Sequence, residues 1–507
     1  MDKTVVDTTL GKVRGTEHNG IYAFKGIPYG GPTSGKKRFM PPGKPTPWTG
    51  IRDASRFGHQ SPQNMSYVEV LSPQADATIE GYSEDCLNLN VWTPGPNTIS
   101  KRPVMFWCHG GGWAQESGTW PWVYGENLSR RGDVVVVTLN HRLNIFGYFP
   151  LGDVGGEKYM SSGNVGALDL VAGLQWVHDN IAAFGGDPGN VMIFGESGGG
   201  EKVCTLLTMP QAKGLFQRAA MQSGFMLRFN SRENANELTG NMLKELEVKP
   251  SEIDKLQTMP VGRLLAALAK IVIPGPGSLQ FGPILDGKIL TEHPFSPAAS
   301  PVSADIPLLV GCNTHEHSFM ALRSDEAAFN LDETQLQHRV VDLVGKSNVT
   351  HVINMYKKTY PGMGLSDLYF RLVTDRGMRL NGINLSERKF IQGEAPVYMY
   401  LFAWQSPALG GTLRSPHTVE IPFVFYNTDT PKVMTKGGPE VKELAGKVSD
   451  AWIQFARSGN PNHKGLPEWP AYDLINRTTM VFDNTCKAVN NPSRVERELW
   501  EDLKFIR

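Results

Sequence analysis

One stretch of the chain carries residue types at a spacing that can do chemistry directly: Phe184-Gly-Gly-Asp-Pro-Gly-Asn-Val-Met-Ile-Phe-Gly-Glu-Ser197-Gly-Gly-Gly200. A short apolar run enters Gly195-Glu196-Ser197-Gly198-Gly199, a G-x-S-x-G pattern, and a helix-forming run from Glu201 to Thr208 leaves it. A serine at a sharp strand-to-helix turn is held in a strained backbone conformation that exposes its hydroxyl. Side chains on the flanking residues would collide with the adjoining elements. The pattern also arises by chance in glycine-rich loops, but the strand before it and the helix after it favour Ser197 as a nucleophile.

Serine attacks poorly unless a base takes its proton and an acid orients that base. Where such an elbow serves a triad, the chain order is serine, acid, histidine, each at the end of a strand. Beyond residue 324 the histidines are His338, His351, His417 and His463. The first two fall in helical patterns, and His463 lies in the loop Gly459-Asn-Pro-Asn-His463 with no strand before it. His417 follows a strand that ends at Trp404, so position favours it over the alternative of a solvated loop histidine. For the acid, Pro307-Leu-Leu-Val-Gly311 leads into Cys312-Asn-Thr-His-Glu316-His317, and Glu316 is the first carboxylate after that strand. A surface glutamate is the competing reading.

Ester hydrolysis also needs donors for an oxyanion. His109-Gly110-Gly111-Gly112-Trp113 follows the strand Val104 to Cys108, and its glycines would offer unobstructed N–H groups. Gly198, directly after the nucleophile, would supply another. Trp113 and Phe319 are the candidates to wall an apolar substrate pocket. Trp120 and Trp122 share the Trp113 loop, where packing onto the core is an equal reading. His315-Glu316-His317 could be read as zinc ligands, since alternating residues of an extended segment share a face. No third ligand cluster accompanies them and a serine mechanism needs no metal, so no metal and no cofactor are expected.

These residues require a scaffold of strands. Apolar runs recur at Leu87 to Trp92, Val104 to Cys108, Val134 to Leu139, Val191 to Phe194, Ala219 to Met221, Ile306 to Val310 and Val397 to Trp404. Helical patterns lie between several of them, most clearly Gly166 to Val177. Alternating strands and helices imply an α/β fold with a mainly parallel sheet covered on both faces. Residues 324–392 lack strand signals and read as a helical insert, a lid or regulatory subdomain within a single catalytic domain spanning 1–507. A separately folded domain is the less favoured alternative, because the sheet resumes afterwards.

Lys and Arg number 50, as do Asp and Glu, so no nucleic-acid-binding field and no polybasic membrane patch is expected. The N-terminus reads as a strand, with no apolar run of signal-peptide or spanning character. The five cysteines are widely spaced with no C-x-x-C pair. Reduced thiols and a cytoplasmic setting follow as the simplest reading. The oligomeric state is left open, a monomer being compatible.

With these residues in place, the chain resembles the type-B carboxylesterase family, which includes bacterial carboxylesterases and animal cholinesterases. The resemblance runs over almost the whole chain. Phe184 to Gly199 is similar to the family's active-site pattern, and Glu84-Asp85-Cys86-Leu87-Asn88-Leu89-Asn90-Val91 to its second signature. Phe24 to Tyr29, Asn140-His-Arg142, Phe281-Gly-Pro283 and Ala451 to Ala456 are similar to further landmarks. The resemblance implies an α/β-hydrolase fold, a triad of Ser197, Glu316 and His417, oxyanion donors at Gly111, Gly112 and Gly198, and Ser223 supporting the triad. It implies hydrolysis of small-molecule carboxylic esters; the rings expected at Trp113 and Phe319 point to esters of aromatic or short-to-medium chain type.

The sequence departs from the family in three places. Ser61-Pro62-Gln63 stands where many members have Cys-Pro-Gln, which implies that Cys86 is a free thiol. Asn88 replaces a tyrosine or threonine, with no evident consequence. His315 and His317 replace Asp and Gly beside the acid, a change that bears on local geometry and substrate preference. Competing functions are an amidase, a carbamate hydrolase or a detoxifying esterase for a bulky ester. In another class stands a catalytically silent recognition protein, disfavoured because such relatives lose the nucleophile.

Overall fold

Val135-Val-Val-Thr-Leu139 is buried at every residue, the pattern of a strand covered on both faces by helices. The computed structural model describes residues 2–64, 81–96, 98–272, 281–430 and 432–503. These form two compact units: the first holds the described residues up to Ala220 together with those between Met226 and Ile306, and the second holds Met221–Phe225 and the described residues from Pro307 onward.

The principal strands of the first unit are β1 (Ile21–Pro28), β2 (Asn88–Thr93), β3 (Arg102–Cys108), β4 (Val135–Leu139) and β5 (Gly186–Glu196), in the order β5-β3-β4-β2-β1. β3 is parallel to both β4 and β5, whereas β1 and β2 run antiparallel to their neighbours. Phe106 pairs with Val137 on one side and Ile193 on the other, so β3 is central. Its C-terminal end delivers His109 beside the end of β5. Helix α1 (Val165–Asn180) precedes β5, and α2 (Gly198–Leu206) follows it after the single residue Ser197. Val5–Thr8, Gly11–Arg14 and Ile51–Asp53 make a separate three-stranded sheet.

Strand β6 (Arg218–Gln222) carries the chain out of the first unit and into the second. There β7 (Leu308–Asn313), β8 (Val397–Phe402), β9 (Thr478–Phe482) and β10 (Lys487–Asn490) take the order β10-β9-β8-β7, all parallel except β10. Between β7 and β8 lie α3 (Glu316–Ser324), α4 (Glu333–Val344), α5 (Val349–Thr359), α6 (Leu365–Thr374) and α7 (Leu380–Gln392). Apolar residues at helical spacing pack Leu336, Val340, Val352, Leu368 and Phe370 into a common core. Asp332 and Gln335 start α4 with a capping box. Helix α8 (Pro439–Ser458) precedes β9, and α9 (Arg494–Asp502) adds Leu499 and Trp500 to the helical core.

Several boundaries differ from those read in the sequence. β5 begins at Gly186 rather than Val191, because the Asp-Pro-Gly-Asn stretch is extended although not apolar. Helical structure after β7 begins at Glu316, where the acid opens α3. β9, β10 and α9 lack the long apolar runs by which the other elements are recognised. Among the described residues, no helix is long and apolar enough to cross a membrane.

Candidate active site

At the end of β5 the backbone turns at Ser197 with φ 55° and ψ −127°, outside the regions ordinary side chains prefer. The neighbours explain why the turn needs glycine. A Cβ on Gly195 would stand 2.5 Å from the Gly199 carbonyl carbon and 2.6 Å from the Cys108 oxygen. A Cβ on Gly198 would stand 2.5 Å from the Gly112 nitrogen. The first unit therefore brings the end of β3, the glycine loop and the nucleophile turn into direct contact.

In the glycine loop, Gly111 and Gly112 have φ of 73° and 60°, left-handed conformations that favour glycine. The Gly111 carbonyl accepts N–H groups from Ala114 and Gln115, each at 3.2 Å. Trp113 is held on three sides. Its indole Nε1 donates to Glu201 at 2.8 Å, its ring meets Tyr148 edge-on at 4.9 Å, and a Cβ on Gly282 would lie 3.2 Å from it. Trp120 and Trp122 stack on each other at 5.5 Å.

The second unit brings together Ser223, Glu316, Phe319 and His417. Glu316 heads α3 directly after β7, where the helix N-terminus favours its negative charge. Its Oε1 accepts the Ser223 hydroxyl and the Asn313 N–H, both at 2.6 Å, and its Oε2 lies 2.5 Å from His417 Nδ1. Glu316 is 3 % exposed and His417 2 %. With both oxygens so engaged, the carboxylate holds the imidazole in one orientation. The Phe319 ring lies 6.2 Å from the His417 ring.

A polar network that the sequence did not reveal supports this pair. Asn313 Nδ2 donates to the Pro416 carbonyl at 2.8 Å and to Glu420 Oε2 at 2.7 Å. Gln222 Nε2 donates to Glu420 Oε1 at 3.3 Å and its Oε1 accepts Trp452 Nε1 at 3.1 Å. Burial, reinforced by the Glu316 charge, pushes the Glu420 carboxyl up to about 7. The signal was present in His417-Thr-Val-Glu420, but position alone could not tell a buried glutamate from a solvated one. Ser415 pins the same loop to the strands: its hydroxyl donates to the Phe402 carbonyl at 2.9 Å and its carbonyl accepts the His315 N–H at 3.0 Å.

The two histidines beside the acid are packing groups. His315 Nδ1 lies 2.9 Å from the Thr314 hydroxyl, and burial pulls its imidazole down to about 3, so it is neutral. His317 meets the Tyr369 ring edge-on at 5.7 Å. Among the described residues, no group of three or more His, Cys, Asp or Glu is arranged to hold a metal ion. All five cysteines are buried free thiols, and Cys86 faces Ser61. His338 and His351 lie in α4 and α5, and His463 binds the Lys447 carbonyl at 3.0 Å.

Residues 2–500 match the carboxylesterase family. The chain is 36% identical to the para-nitrobenzyl esterase of Bacillus subtilis, over 98% of each protein. It is 32% identical to the phenmedipham hydrolase of Pseudarthrobacter oxydans, over 94% of this chain and 95% of that protein. Among solved structures, a carboxylesterase of Geobacillus stearothermophilus superposes with a TM-score of 0.85 at 38% identity, covering 98% of this chain and all of that one.

Proposed function

The chain belongs to the carboxylesterase family, has its α/β-hydrolase fold and is a carboxylic ester hydrolase, and from that premise we propose that it works through an acyl-enzyme on Ser197. His417 takes the Ser197 proton as the hydroxyl oxygen attacks the ester carbonyl carbon. The resulting oxyanion accepts the N–H groups of Gly111, Gly112 and Gly198. His417 then protonates the departing alcohol, leaving the acyl group on Ser197. A water deprotonated by His417 attacks that acyl carbon, and Ser197 leaves with the proton returned from His417.

One observation carries this assignment: Glu316 Oε2 stands 2.5 Å from His417 Nδ1 while its other oxygen is satisfied by Ser223 and Asn313. A proton held on Nδ1 leaves Nε2 as the basic nitrogen. The imidazolium formed during attack is then stabilised by the carboxylate.

The substrates we infer are compact esters with aromatic or short-to-medium chain groups. The reading is supported by two rings: Trp113 directly follows the oxyanion glycines, and Phe319 lies beside His417. We further propose that 1–507 acts as a single catalytic domain, that residues 324–392 serve as its lid or regulatory subdomain, and that the protein is cytoplasmic, in keeping with its free thiols. A hydrolysis screen over esters, diesters, amides, carbamates and lactones tests the reading. Ester turnover that disappears in Ser197→Ala supports it. Ester turnover that persists in pure Ser197→Ala overturns it.

A further inference from the structure

Helix α2 carries an unusual residue one turn beyond the nucleophile. Lys202 has no exposed surface, and its ammonium donates to three carbonyls of the glycine loop: Gly112 at 2.6 Å, His109 at 3.0 Å and Gly110 at 3.3 Å. It also lies 5.1 Å from the centre of the Trp113 ring. The residue before it, Glu201, holds the Trp113 indole. Two consecutive side chains of the nucleophile's own helix thus clamp the loop, one by its backbone and one by its tryptophan.

The chemistry of the three carbonyls matters more than their number. The Gly110 carbonyl belongs to the same peptide unit as the Gly111 N–H, one of the oxyanion donors assigned above. An ammonium on that carbonyl draws electron density towards the oxygen and makes the N–H at the other end a stronger donor. The peptide that carries the Gly112 N–H is polarised similarly, but by neutral groups, since the Gly111 carbonyl accepts from Ala114 and Gln115. Lys202 therefore brings a full positive charge to the rear of a loop whose front receives a developing negative charge.

We propose that Lys202 is a positioning residue of ester hydrolysis, holding the glycine loop in its donating conformation and strengthening its N–H groups through the carbonyls behind them. This rests on the assignment of Ser197 as nucleophile and Gly111 and Gly112 as oxyanion donors.

The surroundings of the ammonium fix how the effect depends on pH. Glu201 stands on its own helix, Glu196 at the end of β5, Glu116 on the loop after the glycines, Cys108 at the end of β3, and His109 and His141 beside them. The Glu116 and Glu196 carboxylates both lie against Gly110, at 3.0 and 3.2 Å from where its Cβ would stand. These three glutamates favour the ammonium, whereas burial opposes it and prevails, pulling Lys202 down to about 8. His109 and His141 are driven to the neutral form by burial and by Lys202, and burial raises the Cys108 thiol to about 12, so none of the three adds charge near neutral pH. The loop therefore loses its positive backing as pH rises through about 8.

The test compares pH–rate profiles from pH 6 to 10 for wild type, Lys202→Met and Lys202→Arg, using para-nitrophenyl butyrate and single-turnover acylation. Wild type is expected to lose acylation rate above about pH 8. Lys202→Met should lower kcat about 10- to 100-fold near pH 7 with KM little changed, and should lack the alkaline fall. Lys202→Arg, which keeps its charge to high pH, should move that fall beyond pH 10. If Lys202→Met does not fold, wild type and Lys202→Arg decide together: an alkaline fall in wild type that moves beyond pH 10 in Lys202→Arg supports the proposal, and identical profiles in the two overturn it. A folded Lys202→Met with unchanged kcat, or with the wild-type alkaline fall, also overturns it. In each case Ser197→Ala is run alongside, since residual activity there would instead remove the nucleophile assignment on which the proposal rests.

Discussion

Gly112 rests directly on Gly198: a Cβ added to Gly198 would stand 2.5 Å from the Gly112 nitrogen. The residue after the nucleophile and the loop facing it are therefore packed backbone to backbone. An alanine at position 198 would leave the backbone N–H in place. The contact forbids it unless the loop moves.

Gly198→Ala should accordingly lower kcat by at least about tenfold, towards the 10²–10³ lost with a single oxyanion donor, with little change in KM. Steady-state kinetics on a nitrophenyl ester measure it. A variant with wild-type kcat would show that the loop yields without affecting catalysis.

Glu316 accepts the Ser223 hydroxyl at 2.6 Å. A hydrogen bond to a buried charge contributes about 1.5–3 kcal/mol, and its loss lets the carboxylate turn away from His417. Ser223→Ala should reduce kcat about 10- to 100-fold while the protein remains folded by circular dichroism. Ser223→Thr, which keeps the hydroxyl, should retain more activity than alanine.

How legible the site was in the sequence depends on what each residue's role requires. Ser197 and the loop glycines were readable because their steric demands leave few alternatives, and a strand end marks each. Chain order after β7 and β8 led to Glu316 and His417, two residues that the fold brings within 2.5 Å of each other. Lys202, Asn313 and Glu420 were not, because burial decides what they do. A lysine on a short helix reads as solvated until the His109, Gly110 and Gly112 carbonyls are seen around it. Among the elements, β4 declared itself through Val135-Val-Val, while β10 and α9 are short and polar and depend on packing against β9 and the helical core.

Glu420 gives a signature in stability. Its carboxyl rises from an ordinary 4.5 to about 7 in the folded protein, so between those values the folded state binds more protons than the unfolded one. Stability must then fall as pH rises through that window. Glu420→Gln removes the titration, and its stability relative to wild type should improve by up to about 3 kcal/mol from pH 4.5 to 7.5. Urea unfolding at several pH values tests this, and a pH-independent difference would contradict it.

The pocket assignment predicts that wild type prefers short-to-medium nitrophenyl esters by kcat/KM. Trp113→Ala should broaden or shift that preference towards longer chains. Glu201→Gln, which weakens the hold on the indole, should shift it in the same direction by less. An optimum at long chains in wild type, or an unchanged preference in Trp113→Ala, would show that this ring does not line the acyl site.

The central claim is an acyl-enzyme on Ser197 formed with His417 as base. Mixing the protein with a nitrophenyl ester, quenching in acid within milliseconds and mapping the adduct by mass spectrometry tests it most directly. A single acyl group is expected on the peptide containing Ser197, formed in a burst stoichiometric with enzyme and lost in Ser197→Ala and His417→Ala. An adduct on another residue, or a full burst in His417→Ala, would contradict it.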